Sequence, residues 1–308
     1  MAVAGGLLVD RVVGEPPAAV HPVALYGSAM AALERRGWRD DRAAGLRHVA
    51  LGLLPVVVVA RTASRLAGPT AALVGATATA AAGRALRRSA RSVGAALESG
   101  DLEEARRRLP ALVGRDPENL DESGVARAVV ESVAENLSDA VVATALWGTV
   151  AGPAGVLAHR AANTLDAMVG HRSPRYRRFG WAAARLDDAL GWPAARLSAL
   201  CVALARPTAG AAALRTAARD GGRHPSPNAG VAEAAFAGSL GLQLGGPATY
   251  GGRPGDRPLL GRGRPVAPAD IERAVVLADR AEWVVTALAL VPAVVSVGLR
   301  LRRRGGAR

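Results

Sequence analysis

Lysine is absent from this chain of 308 residues, so all 39 basic residues are arginine. That excludes a P-loop lysine on nucleotide phosphates and a Schiff-base lysine, leaving arginine, backbone and metal for any nucleotide chemistry. Cysteine is nearly as scarce. The single Cys201 excludes an internal disulfide and a Cys-rich zinc site, and its setting in LSALCVALA reads as buried packing. Aromatic residues make up 3% of a chain that is 50% hydrophobic. The apolar mass is therefore mostly Ala, Val and Leu, which favours helix over sheet. The first apolar stretch is short, lacks a basic leader and is interrupted by Asp10, so no signal peptide is expected and the chain is expected to start on the cytoplasmic side.

Basic residues number 39 against 26 acidic, a net charge of +13. Such a surplus can mark a nucleic-acid binder. Here the arginines interleave with apolar segments, so no nucleic-acid partner is expected and the pattern fits the cytoplasmic flanks of membrane segments. Val49 to Ala60 and Leu66 to Gly83, joined by RTASR, form an expected helical hairpin with arginine clusters on both outer flanks, which puts both ends inside. Ala140 to Ala158, about 19 uncharged residues, is a third candidate span near bilayer length. Ala189 to Ala205, interrupted by Arg196, is a weaker fourth, and Trp283 to Leu299 a fifth. If the motif-bearing loops and the arginine tail share one side, one of these runs must be re-entrant or a core helix. SGDLEEARRRL and a stretch from about Asp121 read as soluble helices, and residues 206–270 as a long ordered Gly/Pro-rich loop. The expected architecture is all-α: a polytopic helical bundle in the cell membrane, one domain over 1–308, with its active site on the cytoplasmic side.

Arg127, Glu131, Glu135 and Asp139 recur at i+4, one polar stripe on a helix. For Arg127 and Glu131 two readings fit, a surface ladder worth a few tenths of a kcal/mol or a working pair. Glu135 and Asp139 run into the apolar segment, where ionisable groups cost free energy and mark function. Paired carboxylates there suit Mg²⁺, a hard cation usually shared with substrate phosphates. Asn163 and Asp166, at i and i+3, face one way beyond that segment, near His159 and Arg160. HRSPRYRR follows, with Arg172, Arg175, Arg177 and Arg178 around Tyr176, forks that match phosphate or carboxylate. A positive-inside loop explains Arg177 and Arg178 equally well. Asp187 and Asp188 follow Arg185, and one of them can pair with it. His224, Ser226 and Asn228 in HPSPNAG are placed to hold a polar ligand, whereas His21 in HPVALYG reads as structural. The glycines of LGGPATYGG fit either a phosphate approach or ordinary turns.

The strings GEPPAAVHPVALYG, ARRRLPALVGRD, VESVAENLSDAVVA, NTLDAMVG, RYRRFGWAAARLDD, PAARL and HPSPNAGVAEAAFAGSLGLQLGGPATYGG occur in order over about residues 8–252. Together they resemble the CobD/CbiB cobalamin biosynthesis family, the membrane-bound adenosylcobinamide-phosphate synthases. The chain departs from the family pattern at Leu137, Ala140, Thr144, Ala167 and His171. The resemblance implies joining adenosylcobyric acid to (R)-1-amino-2-propanol O-phosphate with ATP and Mg²⁺, through an acyl phosphate. It implies catalytic roles for Glu131, Glu135, Asp139 and Asp166, with Glu135 as base. Substrate would be held by Arg160, Asn163, Arg172, Arg175, Tyr176, His224, Ser226 and Asn228, and metal by Asp139, Asp166, Asp187 and Asp188. Its partners would be the corrinoid, the amino-alcohol phosphate, membrane lipids and other late corrin-pathway membrane enzymes. Two other classes fit the residues: an Mg²⁺-dependent transferase acting on a lipid diphosphate or phosphoalcohol, and a non-catalytic corrin-pathway membrane protein.

Overall fold

The structure, a computed structural model, describes residues 1–305 apart from 172, 251 and 252, and side chains up to 291 apart from 18 and 250–254. Its helices are α1 (Ala2–Val13), α2 (Pro22–Gly37), α3 (Arg42–Ala67), α4 (Pro69–Ala80), α5 (Gly83–Glu98), α6 (Leu102–Arg108), α7 (Glu122–Asn136), α8 (Ala143–Val169), α9 (Trp181–Ala205), α10 (Pro207–Asp220), α11 (Ala229–Leu240) and α12 (Asp270–Gly305). The main core gathers faces of α5, α7, α9, α11 and α12, filled largely by Ala and Val. Small side chains let these helices approach closely, and α7 is buried on nearly every side: Val125, Ala126, Val129, Val130 and Val133 have no exposed surface.

Local chemistry sets most helix starts. Asp101 caps α6 through Glu104 N at 2.8 Å, and Asp121 caps α7 through Gly124 N at 2.7 Å. His21 caps α2, its Nδ1 accepting from Val23 N at 3.2 Å, so its expected structural role holds. Cys201 is fully buried, as its apolar setting foretold.

Two stretches are long and apolar enough to cross a membrane, Arg42–Ala67 and Glu122–Val169. The first is α3, whose Leu51, Leu54, Val58, Val59 and Leu66 stand exposed. The expected hairpin of α3 and α4 forms, but RTASR lies inside α3 and the turn comes at Gly68–Pro69. α4 is left with 12 residues, about 18 Å, short of a bilayer. Among the described residues neither α9 nor α12 joins these two stretches; half of the expected fifth span lies beyond the described side chains.

The second stretch corrects the expected third span. Ala140 to Ala158 is not one straight helix: Gly152 takes φ 64°, ψ −153°, a backbone region open essentially to glycine alone, and Pro153 starts a new leg. The legs fold back closely enough that a side chain at Gly155 would strike the Trp147 carbonyl. Neither piece of the Ala140 to Ala158 run, before or after Gly152, is by itself long enough to span a bilayer.

Residues 206–270 are also not a long loop. They hold α10, α11 and an antiparallel hairpin, β1 (Leu244–Tyr250) and β2 (Arg253–Leu260), which is the departure from an all-α fold. The register is irregular between Leu244 and Gly246, where Gly245 takes φ +84°.

Candidate active site

The fold-back at Gly152 creates the site. Asp139 and Asn163 are 24 positions apart and would lie about 36 Å apart on one straight helix. Instead Asn163 Nδ2 donates to Asp139 Oδ2 at 3.2 Å and to Asp187 Oδ1, from α9, at 3.4 Å. Asn163 Oδ1 accepts from Arg160 Nη1 at 3.4 Å. Asp139 sits in a π-helical turn, Leu137–Val142, which continues α7 and interrupts its i+4 stripe. Asp166, one turn beyond Asn163, makes no side-chain hydrogen bond among the described residues and lies near the carboxylates of Asp187, Asp188 and Glu135. Burial, then the facing Asp166 carboxylate, raises Asp187 to about 7. One neutral amide therefore stands between two carboxylates with little positive charge to balance them.

A second cluster adjoins the first. Glu131 is buried, its Oε2 paired with Arg115 and its Oε1 accepting from Gly245 N at 2.7 Å. Arg127 donates to Gly245 O at 2.6 Å and to Pro247 O at 2.7 Å. The expected Arg127–Glu131 surface ladder is therefore absent, since both side chains fasten the hairpin to α7. Gly245 of LGGPATYGG serves this contact, the bulge there presenting its N–H to Glu131 and its carbonyl to Arg127.

Glu135, one turn on, is half-buried and feels Arg257, Glu131, Arg115 and Asp166. Across from it lies Glu233 of α11, wholly buried, both oxygens without a hydrogen bond, 3.7 Å from Arg257 Nη1 and 4.0 Å from His224 Nε2. Burial, then Glu131 and Glu135, raises the Glu233 carboxyl well above the usual range. Burial, then Arg257, lowers His224. Sequence reading missed Glu233, although an acidic residue alone in the apolar run NAGVAEAAFAG was a legible signal.

Other expected site residues serve the frame. Ser226 Oγ accepts from Asn228 N and Ala229 N at 3.3 and 3.2 Å, opening α11. Asn228 pins that loop to α9, donating to Asp188 O at 3.0 Å and accepting from Arg196 Nη1 at 3.4 Å. Arg175 and Tyr176 turn toward α2, donating to Glu34 Oε1 at 3.1 and 2.9 Å, with the Arg175 guanidinium 4.6 Å from the Trp38 ring. Arg172 lies outside the described residues. Asp188 lines a cleft of about 500 Å³ with Arg177, Arg185, Arg196 and His224, next to the Asp187 cluster.

Among the described residues no group of three or more His, Cys, Asp or Glu side chains is arranged to hold a metal ion unaided. The four expected metal ligands are thus not a closed cage. Asp139 and Asp187, facing each other across Asn163, instead fit Mg²⁺ that completes its shell with substrate phosphate and water.

The chain matches the CobD/Cbib protein family over residues 3–278. It is 50% identical over 278 residues to cobalamin biosynthesis protein CobD of Mycobacterium tuberculosis, covering 88% of each chain. It is 43% identical to the protein of that name from Sinorhizobium fredii, covering 89% of this chain and 91% of the relative. For the Chromobacterium violaceum protein the identity is 43%, over 94% and 95%. No solved structure gives a significant match. With a family match across most of its length and relatives this similar over nearly all of theirs, the chain belongs to the CobD/Cbib protein family.

Proposed function

We propose that this protein is an adenosylcobinamide-phosphate synthase: an ATP-dependent ligase that joins a corrin carboxylate of adenosylcobyric acid to the amine of (R)-1-amino-2-propanol O-phosphate. The printed name of its relatives, cobalamin biosynthesis protein, supports a role in that pathway. The observation that carries the chemistry is the meeting of Asp139, Asn163 and Asp187 at the open end of the folded-back α8.

A carboxylate does not form an amide without activation, so the γ-phosphoryl group of ATP passes to it, giving an acyl phosphate and ADP. Bound between Asp139 and Asp187, with Asp166 and Asp188 close by, Mg²⁺ would neutralise charge on the transferring group. Asn163 holds the two carboxylates in place, and Arg160 adds positive charge beside them. Glu135, free of hydrogen bonds among the described residues, accepts the proton as the amine attacks the acyl carbon and phosphate leaves.

The test supplies purified protein with adenosylcobyric acid, aminopropanol phosphate and Mg·ATP. Adenosylcobinamide phosphate and ADP should appear one for one. AMP as the nucleotide product would replace the acyl phosphate by an acyl adenylate, and turnover of a lipid diphosphate in place of the corrinoid would overturn the assignment. The exposed apolar face of α3 supports a membrane location; the multi-pass topology and the cytoplasmic site expected from the arginine flanks complete the proposal. Carbonate-washed membranes should retain the protein, and release into the wash would contradict this.

A further inference from the structure

The cleft of about 500 Å³ lies between residues 170–171 and 176–180, the first turns of α9 and the HPSPN loop. Arg177, Arg185 and Arg196 reach it from those walls, with Trp181 and Tyr176 as aromatic surface and Asp188 at the edge nearest the carboxylates. Among the described residues the side chains of Arg177 and Arg185 make no hydrogen bond or ion pair. Arg196 uses only Nη1, on Trp192 O at 3.2 Å, Pro227 O at 3.0 Å and Asn228 Oδ1 at 3.4 Å. Two guanidinium forks with no partner among the described residues and a third with Nε and Nη2 to spare, converging on one concavity, match a ligand that carries several phosphate oxygens.

We propose that this cleft is the nucleotide site, binding a nucleoside triphosphate with its phosphates among Arg177, Arg185 and Arg196 and its terminal phosphate turned toward Asp188. The proposal rests on the reading above only for the need of ATP. Size separates it from the other substrates. An amino-alcohol monophosphate would fill a small part of the cleft, a corrin ring system exceeds it, and a nucleotide is of matching size. Position gives the second argument. Asp188 adjoins Asp187 in sequence, and Asp187 faces Asp139 across Asn163, so a terminal phosphate at that edge lies beside the groups assigned to Mg²⁺. Arg175 is held at Glu34, whereas Arg177, which a positive-inside loop explained equally well, lines this cleft with Arg185 and Arg196.

The test is calorimetric binding of Mg·AMP-PNP to the full chain in detergent, with Arg177→Ala, Arg185→Ala and the double variant. Each single change should weaken binding about 10-fold, the scale of one charge-assisted fork, and the double change more. Arg178→Ala, whose side chain lies 3.9 Å from Asp40 outside the cleft, should leave affinity unchanged. Thermal unfolding confirms that each variant is folded; the single variants decide if the double is not. Unchanged affinity in folded variants, displacement of AMP-PNP by aminopropanol phosphate, or no nucleotide binding by the unaltered protein would each overturn the proposal. Arginine-dependent AMP-PNP binding by a protein that makes no adenosylcobinamide phosphate would uphold the site while removing the synthase reading.

Discussion

At the junction of α1, α5 and α12, Arg11 and Arg87 face Asp279 and Glu282. Arg11 pairs with Asp279 at 2.7 Å, Arg87 lies 3.4 Å from Asp279, and Arg87 pairs with the buried Glu282. Between α7, α8, α9 and α11 the balance is different. Glu131, Glu135, Glu233, Asp139, Asp166, Asp187 and Asp188 gather around fewer arginines, and carboxylates there face one another. The four charges of the first group neutralise one another, which is what a fold needs; Asp10 beside them on α1 accepts from Arg84 N at 3.2 Å and is raised to about 6 by burial. In the second, Glu233 has both oxygens without a hydrogen bond and Asp187 faces Asp166, a concentration of carboxylates whose cost a cationic or proton-donating occupant would relieve.

The widest separation between the two regions should come from breaking each in turn. Arg87→Ala leaves the buried Glu282 with Arg11 alone, 3.6 Å away, and should destabilise the protein by about 3 kcal/mol in denaturant titration, with the specific activity of the folded fraction unchanged. Asp139→Ala should do the opposite, lowering turnover by roughly 10²-fold or more without loss of stability, because it removes a transition-state contact and relieves like-charge repulsion. If Asp139→Ala unfolds the protein as readily as Arg87→Ala, the carboxylate cluster is structural and the contrast fails.

What could be read in advance follows the range of the interaction involved. Capping and first-turn charge are local, so α6, α7 and the structural His21 were legible, as was the buried Cys201. Asp139, Asn163 and Asp166 were legible as polar residues bounding an apolar run. That they meet was not, because it depends on one torsion at Gly152, and an uncharged run through GTVAGPAGV reads as continuous helix unless Gly-Pro is given priority over hydropathy. The hairpin and the role of Glu131 escaped for a related reason: Arg127, Glu131 and Gly245 are tied across more than a hundred residues, and no periodicity encodes that. Arg177 read as a phosphate fork or a membrane flank, Arg185 as a partner of Asp187 or Asp188 and Arg196 as an interruption, because charge placement alone does not say which walls share a cleft.

A milder change tests whether the fold-back builds the unbalanced cluster. Gly152→Ala keeps every charge but forces a side chain into backbone space that only glycine occupies freely, costing about 1–3 kcal/mol. If the leg straightens to escape that strain, Asn163 leaves Asp139 and activity falls with stability. The measurement is turnover beside thermal unfolding, with Gly75→Ala as control, since nothing lies within contact of a Cβ at that helical position. Full activity in Gly152→Ala would mean the site does not depend on the fold-back.

The smallest effect concerns Asp187, raised to about 7 from an ordinary value of 3.8. Below about pH 4 the carboxyl is protonated in folded and unfolded chains alike and contributes nothing. Between that value and about 7 the folded protein keeps a proton that the unfolded chain releases, so stability falls as pH rises; above about 7 the penalty is constant. Asp187→Asn removes this linkage while its amide oxygen can still accept from Asn163. The variant should match the unaltered protein near pH 4, then exceed its Tm by a margin that grows to about 2–4 °C by pH 8, a modest figure because a half-buried group is partly screened by solvent. The scan belongs in EDTA, since a bound cation would stabilise the unaltered carboxylate and shrink the difference. Adding Mg²⁺ should then raise the Tm of the unaltered protein more than that of the variant. A difference in Tm that is the same at pH 4 and pH 8 would mean Asp187 is neutralised by a partner, and the cluster would belong with the paired charges of α1, α5 and α12.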